Sequence, residues 1–450
     1  MKLNFFTKCL NWYKRFQISS SPQMNLVWGF FLYTFVGFLL LLIPFFHKVD
    51  ISVLDNLFIS TSAISTTGLV TISVSDSYNI FGQLIIILLV QIGGIGYMTL
   101  TTYYILFTTK KITHWHQKVI GTEFSMPKTI KIKDFLKSVV IFTLIMEFLG
   151  AISFFIAFIN SGMDVLQAIW YSIFHSISSY CTAGFSLFND SFINYNDNVF
   201  INCIISILAI SGSLGFIVIT DIWYRVSGKS TKVSFTSKII ISGFIILLFF
   251  GTILTYFSEP QLANDNNSSL MKSFFQTMSS MTTVGFNSIP TGENTLSTLL
   301  LIIFLMYIGA SPSGTAGGMK ITTLTAMVAI LKSRILGQKK ITFLNRKIPM
   351  NRLYVATSTF ILYTSLIFFF TYLLTFTENA NFDSILFEVA SSLGTVGLST
   401  GLTANLSIAG KIIMIVIMFI GRVGVLTFGF ALLARRYGKE IKIINDDLAV

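Results

Sequence analysis

The chain has 450 residues, of which 53% are hydrophobic and 11% carry a charge, and its mean hydropathy is +0.75. Because an ordinary soluble domain carries about 25% charged residues, this composition excludes a soluble globular protein and indicates a polytopic membrane protein. The net charge of +12 does not indicate nucleic-acid binding, since the basic residues are concentrated in short segments between apolar runs.

Long apolar runs follow one another along the chain. They cover roughly residues 24–46, 81–107, 136–159, 198–220, 239–258, 296–309, 354–376 and 406–434. Most of them can cross a hydrocarbon core of about 30 Å, which takes about 20 residues of α-helix. The sequence therefore predicts about eight transmembrane helices. Residues 1–23 contain Lys8, Lys14 and Arg15 without an apolar core, so no cleavable signal peptide is expected.

The charged residues predict the orientation of these helices. Lysine and arginine cluster in Lys2 to Arg15, Lys110 to Lys137, Arg225 to Lys238, Lys332 to Arg352 and Arg435 to Lys442. The intervening polar segments carry mostly acidic residues. The positive-inside rule then places both termini in the cytoplasm of a cell-membrane protein. The basic segments are expected to contact anionic lipid headgroups. The loops 110–137 and 332–352 could in addition dock a cytoplasmic partner.

A twelve-residue pattern occurs four times. It begins with Phe, followed by any three residues and then Ser. The next position is Ser or Ala, and an apolar residue follows. After one residue of any type come Thr, another residue of any type, Gly, and finally Leu or Phe. Its copies run from Phe58 through Ser62, Ala63 and Thr66 to Gly68; from Phe174 through Ser178, Ser179 and Thr182 to Gly184; from Phe275 through Ser279, Ser280 and Thr283 to Gly285; and from Phe387 through Ser391, Ser392 and Thr395 to Gly397. Glycine is also common in membrane helices for packing alone. Four copies in one register instead favour four equivalent elements around one axis.

Each copy lies between two apolar runs. The segments before the glycines, 53–66, 165–181, 269–282 and 383–394, are too short to span the bilayer and suit re-entrant helices. Polar, turn-prone residues follow each glycine. We therefore predict an all-α polytopic membrane protein with four parallel helix–pore loop–helix repeats around a pseudo-fourfold central pore. The repeats are expected at 1–110, 111–230, 231–340 and 341–450, the last including the C-terminal tail.

The segments around the glycines predict an ion filter. Non-helical backbone at membrane depth persists only where it lines water or is buried in protein. Rings of carbonyl oxygens there can replace the hydration shell of an alkali cation, and glycine permits the required backbone angles. The predicted K+-binding residues are Thr66, Thr67, Gly68, Thr182, Ala183, Gly184, Thr283, Val284, Gly285, Thr395, Val396 and Gly397. The small Ser/Ala pairs are expected to let the short helices approach the axis, and the four phenylalanines to act as packing wedges.

These residues resemble the ion-translocating subunits of the Ktr/Trk/HKT superfamily of potassium transporters. The resemblance covers nearly the whole chain and rests on the strings 65–69, 181–185, 282–286 and 394–398. About eight spans without an additional N-terminal pair are most similar to the Ktr-type membrane subunit. The resemblance implies that one glycine per repeat forms the filter. Plant relatives that favour Na+ have serine at the first of these positions, so glycine at all four implies K+.

The same resemblance implies partners for the chain. The family is typically coupled to or stimulated by Na+, and its membrane subunit forms a homodimer on a cytoplasmic ring of nucleotide-binding regulatory subunits. The chain itself has no nucleotide-binding βαβ fingerprint and no expected cofactor. Any control by a nucleotide would therefore come from another polypeptide.

A second motif follows each predicted filter loop. Gly-x-x-Gly steps occur at 93–96, 212–215 and 421–424, whereas the third repeat has Gly309, Ala310, Ser311, Pro312, Ser313, Gly314, Thr315, Ala316, Gly317 and Gly318. Because Pro and Gly cost a helix about 3 and about 1 kcal/mol, the span is predicted to break there into a flexible segment that faces the cavity. A proline kink packed among helices is the alternative. The resemblance implies an intramembrane gating loop.

Arg422 lies about halfway along the last apolar run. An intramembrane charge normally faces a cavity or a partner, so Arg422 is predicted to hydrogen-bond the broken segment and to hinder cations below the filter. Snorkelling to the membrane interface is the alternative. Lys320 could snorkel in the same way. Glu147 has no obvious partner in the sequence, and its expected role is structural.

Other classes of function find less support. Cys9, Cys181 and Cys203 indicate neither a disulfide framework nor a metal motif, and His114 and His116 fit a solvated basic loop. A membrane-embedded enzyme such as a hydrolase would need a catalytic or metal-ligand set at membrane depth, and none is recognisable. The sequence thus predicts a K+-translocating pore subunit, with a Na+-preferring or weakly selective cation transporter as the alternative.

Overall fold

The computed structural model describes residues 21–96, 99, 102, 132–228, 232–259, 269–309 and 311–433. Several expectations concern residues outside these ranges: those for the two tails, Cys9, most of loop 110–137 with His114 and His116, and Ala310. Within the described residues the chain is mainly α-helical. Cys181 is buried and Cys203 is exposed, and both are free thiols.

An outer helix, a short helix and an inner helix follow one another four times, and we number these sets one to four. The outer helices are Pro22–Leu41, Ile132–Asn160, Phe235–Ser258 and Met350–Thr377. The short helices are Val53–Ile64, Val165–Tyr180, Ser269–Thr282 and Phe382–Gly394. The inner helices are Ile80–Ile95, Val199–Leu214, Leu296–Tyr307 and Ile408–Val423. This order matches the predicted unit of span, short helix, return segment and span.

Smaller elements connect these sets. In the described parts of the chain, further helices follow three inner helices, at Phe216–Val226, Ile321–Ile335 and Val425–Leu433. One helical turn, Val74–Ser77, and the 3-10 helices Pro44–Phe46, Ile193–Tyr195, Thr291–Glu293 and Thr403–Asn405 lie in the connections. Strand β1 (Ile308–Gly309) pairs in parallel with β2 (Met319–Lys320), Ile308 opposite Met319. Strand β3 (Thr342–Phe343) pairs antiparallel with β4 (Arg346–Lys347), Thr342 opposite Lys347.

The outer helices are the long membrane-crossing elements of the described chain. All 4 are long and apolar enough to cross a membrane. Two inner helices reach that length only together with the helix that follows them, and the pairs are bent by 91° and 99°. The inner helices Ile80–Ile95 and Leu296–Tyr307 are shorter apolar helices. The apolar runs 198–220 and 406–434, predicted as spans, are therefore bent and not straight.

The bends occur at the second glycine of each Gly-x-x-Gly step. Gly215 and Gly424 lie at the two bends with φ of +85° and +91°, and Gly96 ends its inner helix with φ of +87°. Glycine adopts this left-handed backbone readily, whereas other residues do so at a steric cost. The sequence identified these steps, but it did not predict that they end the inner helices.

The short helices form the buried centre of the molecule. Phe58, Phe174, Phe275 and Phe387 are each 0% exposed, as the predicted packing role requires. The outer helices instead expose large apolar side chains such as Phe148, Phe249 and Phe368. A protein that is apolar on its outside and lined with Ser and Thr inside is suited to a lipid surround. The arrangement places the Thr-x-Gly segments, which follow the short helices, at the centre.

Candidate functional site

The glycines of the four Thr-x-Gly segments form a closed ring. Gly68, Gly184, Gly285 and Gly397 have φ of +86°, +68°, +73° and +93°. A methyl group added at any of these glycines would collide with a carbonyl oxygen of the next set. That oxygen belongs to the residue just before the ring glycine of that set. The pairs are Gly68 with Ala183, Gly184 with Val284, Gly285 with Val396, and Gly397 with Thr67. The contacts run from set one to four and back to one, so the four segments surround one axis.

The threonine two residues before each glycine has the same unusual backbone. Thr66, Thr182, Thr283 and Thr395 have φ of +51°, +50°, +56° and +49°. A β-branched residue rarely adopts the left-handed region, and such strain persists only where the surroundings impose it. The main-chain N–H of the residue after each threonine donates to a serine carbonyl in the short helix of the same set. These bonds join Thr67 to Ser62 at 2.9 Å, Ala183 to Ser178 at 2.8 Å, Val284 to Ser279 at 3.1 Å, and Val396 to Ser391 at 2.8 Å.

The hydroxyls of the same serines bond to the Thr-x-Gly segments. Ser62 and Ser391 each accept the N–H of the glycine of their own set at 3.1 Å. Ser178 donates to Phe185 O at 2.8 Å, and Ser279 donates to Phe286 O at 2.7 Å. The sequence pattern predicted only small size at these positions. The structure adds a hydrogen-bonding role that fixes each segment to its short helix.

Each short helix ends at the ring. The helices end at Ile64, Tyr180, Thr282 and Gly394, directly before or within two residues of the strained threonine. A helix C-terminus carries a partial negative charge of about half an electron because its last carbonyls are unpaired. Four such ends converge on the ring. The resulting electrostatic field favours a cation on the axis.

The predicted break in the third inner helix is present. The helix ends at Tyr307, and the next helix begins at Ile321. The alternative prediction, a proline kink within a continuous helix, is therefore wrong. The segment between them lies against two of the threonines with positive φ. Thr182 Oγ1 donates to Thr315 Oγ1 at 3.0 Å, and Gly317 N–H donates to Thr283 Oγ1 at 3.1 Å.

The small residues of this segment serve close packing. A methyl group added at Gly314 would overlap Ser213 O, and one at Gly317 would overlap Gly394 O. Ser313 is 0% exposed and its carbonyl accepts the Phe216 N–H at 3.1 Å. The sequence predicted a flexible segment because its side chains are small. In the structure their smallness instead lets the segment contact three sets of helices through its backbone.

Arg422 joins the broken segment to the first inner helix. One terminal guanidinium nitrogen donates to Thr315 O at 2.6 Å, and the other bonds to Gly93 O and, at 3.4 Å, to Gly94 O. The predicted contact with the broken segment is therefore present, and the snorkelling alternative is wrong. Lys320 Nζ also turns to this segment, with bonds to Ala316 O at 2.7 Å and Gly317 O at 2.8 Å. Both side chains line a cavity of about 570 Å³.

Glu388 was not predicted from the sequence as a functional residue. This carboxylate is 0% exposed and lies one residue after Phe387 in the fourth short helix. It accepts bonds from Ser399 Oγ at 2.6 Å, from Thr400 N at 2.9 Å and Oγ1 at 3.2 Å, and from Thr403 Oγ1 at 2.6 Å. These donors belong to the return segment just after Gly397. An acid in an apolar helix is a signal that sequence reasoning could have used.

The other sets hold their return segments with different chemistry. In set one, Asp55 Oδ1 accepts the Thr71 hydroxyl at 2.7 Å and pairs with Lys411 Nζ of the fourth inner helix at 2.7 Å. In set two, His175 Nε2 accepts the Leu187 N–H at 3.2 Å. The residue after the phenylalanine in each copy is Ile59, His175, Gln276 or Glu388. The ring is thus fourfold in backbone but not in its supporting side chains.

Glu147 does have neighbours in the structure. Its carboxylate accepts a bond from Cys181 Sγ at 3.8 Å, and its main-chain carbonyl accepts one from Ser176 Oγ at 2.6 Å. Both partners belong to the second short helix or the residue that follows it. This position connects the second outer helix to the filter segment that begins at Thr182, which agrees with the expected structural role.

Known proteins resemble this chain over most of its length. The family model described as "TrkH: Cation transport protein" matches residues 19–436. The potassium/sodium uptake protein NtpJ of Enterococcus hirae is 33% identical, over 94% of this chain and 95% of its own. The Ktr system potassium uptake protein B of Bacillus subtilis is 32% identical, over 91% of this chain and 93% of its own.

A solved structure shares the fold. The crystal structure of the potassium transporter TrkH from Vibrio parahaemolyticus superimposes with a TM-score of 0.74 at 21% identity, covering 93% of this chain and 86% of that one. This match shows the all-α polytopic membrane architecture. The match of the family model, together with relatives above 30% identity, shows the family itself. The predicted resemblance is confirmed, the membrane-embedded hydrolase is excluded, and the chain belongs to the TrkH family of cation transport proteins.

Proposed function

We propose that the protein is the K+-translocating pore subunit of an uptake system. The observation that carries this proposal is the closed ring of Gly68, Gly184, Gly285 and Gly397, in which each glycine abuts the carbonyl of its neighbouring set. Such a ring brings main-chain oxygens to one axis, where they can replace the hydration shell of an alkali cation. Two relatives above 30% identity are named for the uptake of potassium, or of potassium and sodium.

The proposed filter comprises the Thr-x-Gly segments 66–68, 182–184, 283–285 and 395–397. Carbonyl oxygens of these residues would bind K+ as the transported ion. The convergence of four short-helix C-termini supports a cation over an anion. The serine bonds to each segment support a rigid filter, because they hold both its start and its end against a buried helix.

A Na+-preferring or weakly selective cation transporter remains the second candidate function. It is favoured by the name of the Enterococcus hirae relative, which includes sodium. Each set also contributes a single glycine to the ring. The ring therefore offers fewer layers of carbonyl oxygens than a filter in which several successive residues of each segment expose their carbonyls. Na+ is additionally proposed as a coupling or activating ion of K+ transport.

Ion flux in proteoliposomes distinguishes the two candidates. The purified chain is reconstituted, and uptake of K+, Rb+ and Na+ is measured under the same membrane potential. A clear preference for K+ and Rb+ is expected. Equal rates for all three ions, or faster Na+ uptake, would instead establish the second candidate. An absence of any flux above that of empty liposomes, with folded protein present, would contradict a pore that works without its regulator.

We further propose that residues 309–318 and Arg422 gate the path. The segment lies directly against Thr182 and Thr283, so in this position it covers the filter from the side of the cavity. The guanidinium of Arg422 fixes the segment through Thr315 O and adds a positive charge that disfavours a cation beneath the filter. Opening requires the segment to move away and these hydrogen bonds to break.

The remaining proposals concern the repeat boundaries, the orientation of the chain in the membrane and its partners. We propose the repeat boundaries 1–110, 111–230, 231–340 and 341–450, with both termini in the cytoplasm. We propose a homodimer of this chain on a cytoplasmic nucleotide-binding regulatory ring, with anionic lipids at the basic segments. Mass measurement of the detergent-solubilised complex tests the dimer. A monomer at concentrations at which the protein transports ions would contradict it.

A further inference from the structure

A group of buried polar side chains in set three lacks hydrogen-bond partners. Within the described residues, neither the amide oxygen nor the amide nitrogen of Gln276 has a partner, and the same is true of Asn287 Oδ1, Ser288 Oγ and Thr291 Oγ1. Gln276 and Ser288 are 0% exposed, and Thr291 is 2% exposed. A buried polar group without a partner loses its hydration and gains nothing in return, so a group of such side chains indicates a ligand that pairs them.

The fourth set brings the equivalent residues together around one carboxylate. Gln276 corresponds in the repeated pattern to Glu388, and residues 287, 288 and 291 correspond to Ser399, Thr400 and Thr403. In set four these three residues all donate to the Glu388 carboxylate. Every member of the unpaired group in set three thus has a counterpart in this cradle.

The backbones of the two sets agree at the ring and at the start of the next 3-10 helix, but just before that helix Pro290 has ψ of 113° and Leu402 has ψ of −36°. Thr283 and Thr395 have φ of +56° and +49°, and Gly285 and Gly397 have φ of +73° and +93°. A 3-10 helix begins at Thr291 in one set and at Thr403 in the other. In set three no hydrogen bond joins the side chains at these four positions.

We propose that these side chains face one pocket, as their counterparts face the Glu388 carboxylate in set four, and that ordered water in it joins Gln276 to Ser288 and Thr291 behind the third filter segment. Water fits because the group offers both donors and acceptors, and a buried water makes about three hydrogen bonds. A bound cation fits less well, since the pocket-forming side chains are uncharged and an amide NH2 is among them. The main chain at Asn287 is held separately, since its N–H donates to Ser191 Oγ at 3.1 Å. This proposal does not depend on which ion the protein transports.

The test is a structure of the full chain in lipid nanodiscs at a resolution that shows ordered water. We expect density within hydrogen-bond distance of Gln276 and at least one of Ser288 and Thr291. This density should disappear in Gln276→Leu, and in Ser288→Ala if the leucine variant does not fold. Direct bonds from Gln276 to Ser288 or Thr291, with no density between them, would overturn the proposal. So would a peak that is strengthened by Tl+, because it would identify a cation site.

Thermal unfolding provides a second measurement. Gln276→Glu supplies the carboxylate that already pairs the same hydroxyl positions in set four, so it should retain the melting temperature or raise it by a few degrees. Gln276→Leu removes the polar partner of the water and should lower the melting temperature by several degrees. Equal melting temperatures for Gln276→Leu and the wild type would contradict the water site, because the side chain would then hold nothing.

Discussion

The guanidinium of Arg422 donates to the carbonyl oxygen of Thr315 at 2.6 Å, and the hydroxyl of Thr315 in turn contacts Thr182 Oγ1 at 3.0 Å. A single residue of the broken segment thereby connects the fourth inner helix to the second filter segment. The other guanidinium nitrogen bonds to Gly93 O of the first inner helix. Movement of the broken segment must break this set of bonds. The proposed gate therefore opens only when they are lost.

Shortening the broken segment should open the path. Deletion of several residues between 311 and 317 removes the contacts of Thr315 and Gly317 with the filter threonines. We expect higher K+ flux that depends less on any regulator. Uptake by cells that express membrane-inserted variants measures the effect. Loss of all transport in a folded variant would show that the segment is a structural support and not a gate.

Arg422→Ala should act in the same direction but more weakly, because the segment remains in place. Hydrogen bonds to a charged group contribute about 1.5–3 kcal/mol each, so losing them should increase flux about tenfold or more. Arg422→Lys should give an intermediate flux, since an ammonium cannot reach Thr315 O and Gly93 O with the same planar fork. Substitution of Arg352, on the same cavity but outside these bonds, serves as the control. Unchanged flux in Arg422→Ala would remove the arginine from the gate.

Serine at a ring glycine should weaken the preference for K+. The new side chain must accept a φ near +86° at Gly68 and would collide with Ala183 O. We expect the ratio of K+ to Na+ flux to fall about tenfold or more, which equals about 1.4 kcal/mol. Gly162→Ser is a matched control, because Gly162 has φ of +85° but nothing within 4 Å of the added carbon. Unchanged selectivity in all four ring variants would refute the filter.

Glu388→Gln should destabilise the fourth return segment. The amide cannot accept at both ends, so the bond from Thr403 or those from Ser399 and Thr400 are lost. A loss of about 1.5–3 kcal/mol lowers the melting temperature by several degrees. The K+ preference should fall as well, because the segment adjoins Gly397. Glu378→Gln is the control: Glu378 accepts two bonds from Ser407 at the start of an inner helix. An equal loss of selectivity in both variants would argue against a local effect of Glu388.

The ion pair of Asp55 and Lys411 should couple sets one and four. Their side chains are 12% and 17% exposed, so solvent screens this pair less than a surface pair. A double-mutant cycle with Asp55→Asn and Lys411→Met should give a coupling of about 1–3 kcal/mol in unfolding. The pair of Lys272 and Asp197 is the comparison, since Asp197 is 70% exposed and the expected coupling is below about 1 kcal/mol. Equal couplings would contradict the difference in burial as its cause.

The sequence by itself determined the membrane environment, the order of helices and the position of the ring. Apolar runs report directly on the bilayer, because each must cover a fixed thickness with one residue per 1.5 Å of helix. The repeated pattern located Gly68 and its three counterparts, since the same positive φ at each equivalent place favours glycine there. The break after Tyr307 was also predictable, because Gly and Pro weaken a helix locally.

Only the tertiary structure decided how these parts meet. The left-handed backbone at Thr66 and its counterparts contradicts the backbone preference of threonine. Hydrogen bonds to the preceding short helix of the same set hold it in place. The bends at Gly215 and Gly424 depend on what the following helix packs against. Glu388 and Asp55 acquire these partners from segments 11 to 16 residues away or from another set. Such contacts join distant parts of the chain, and the spacing of residues in one sequence does not contain them.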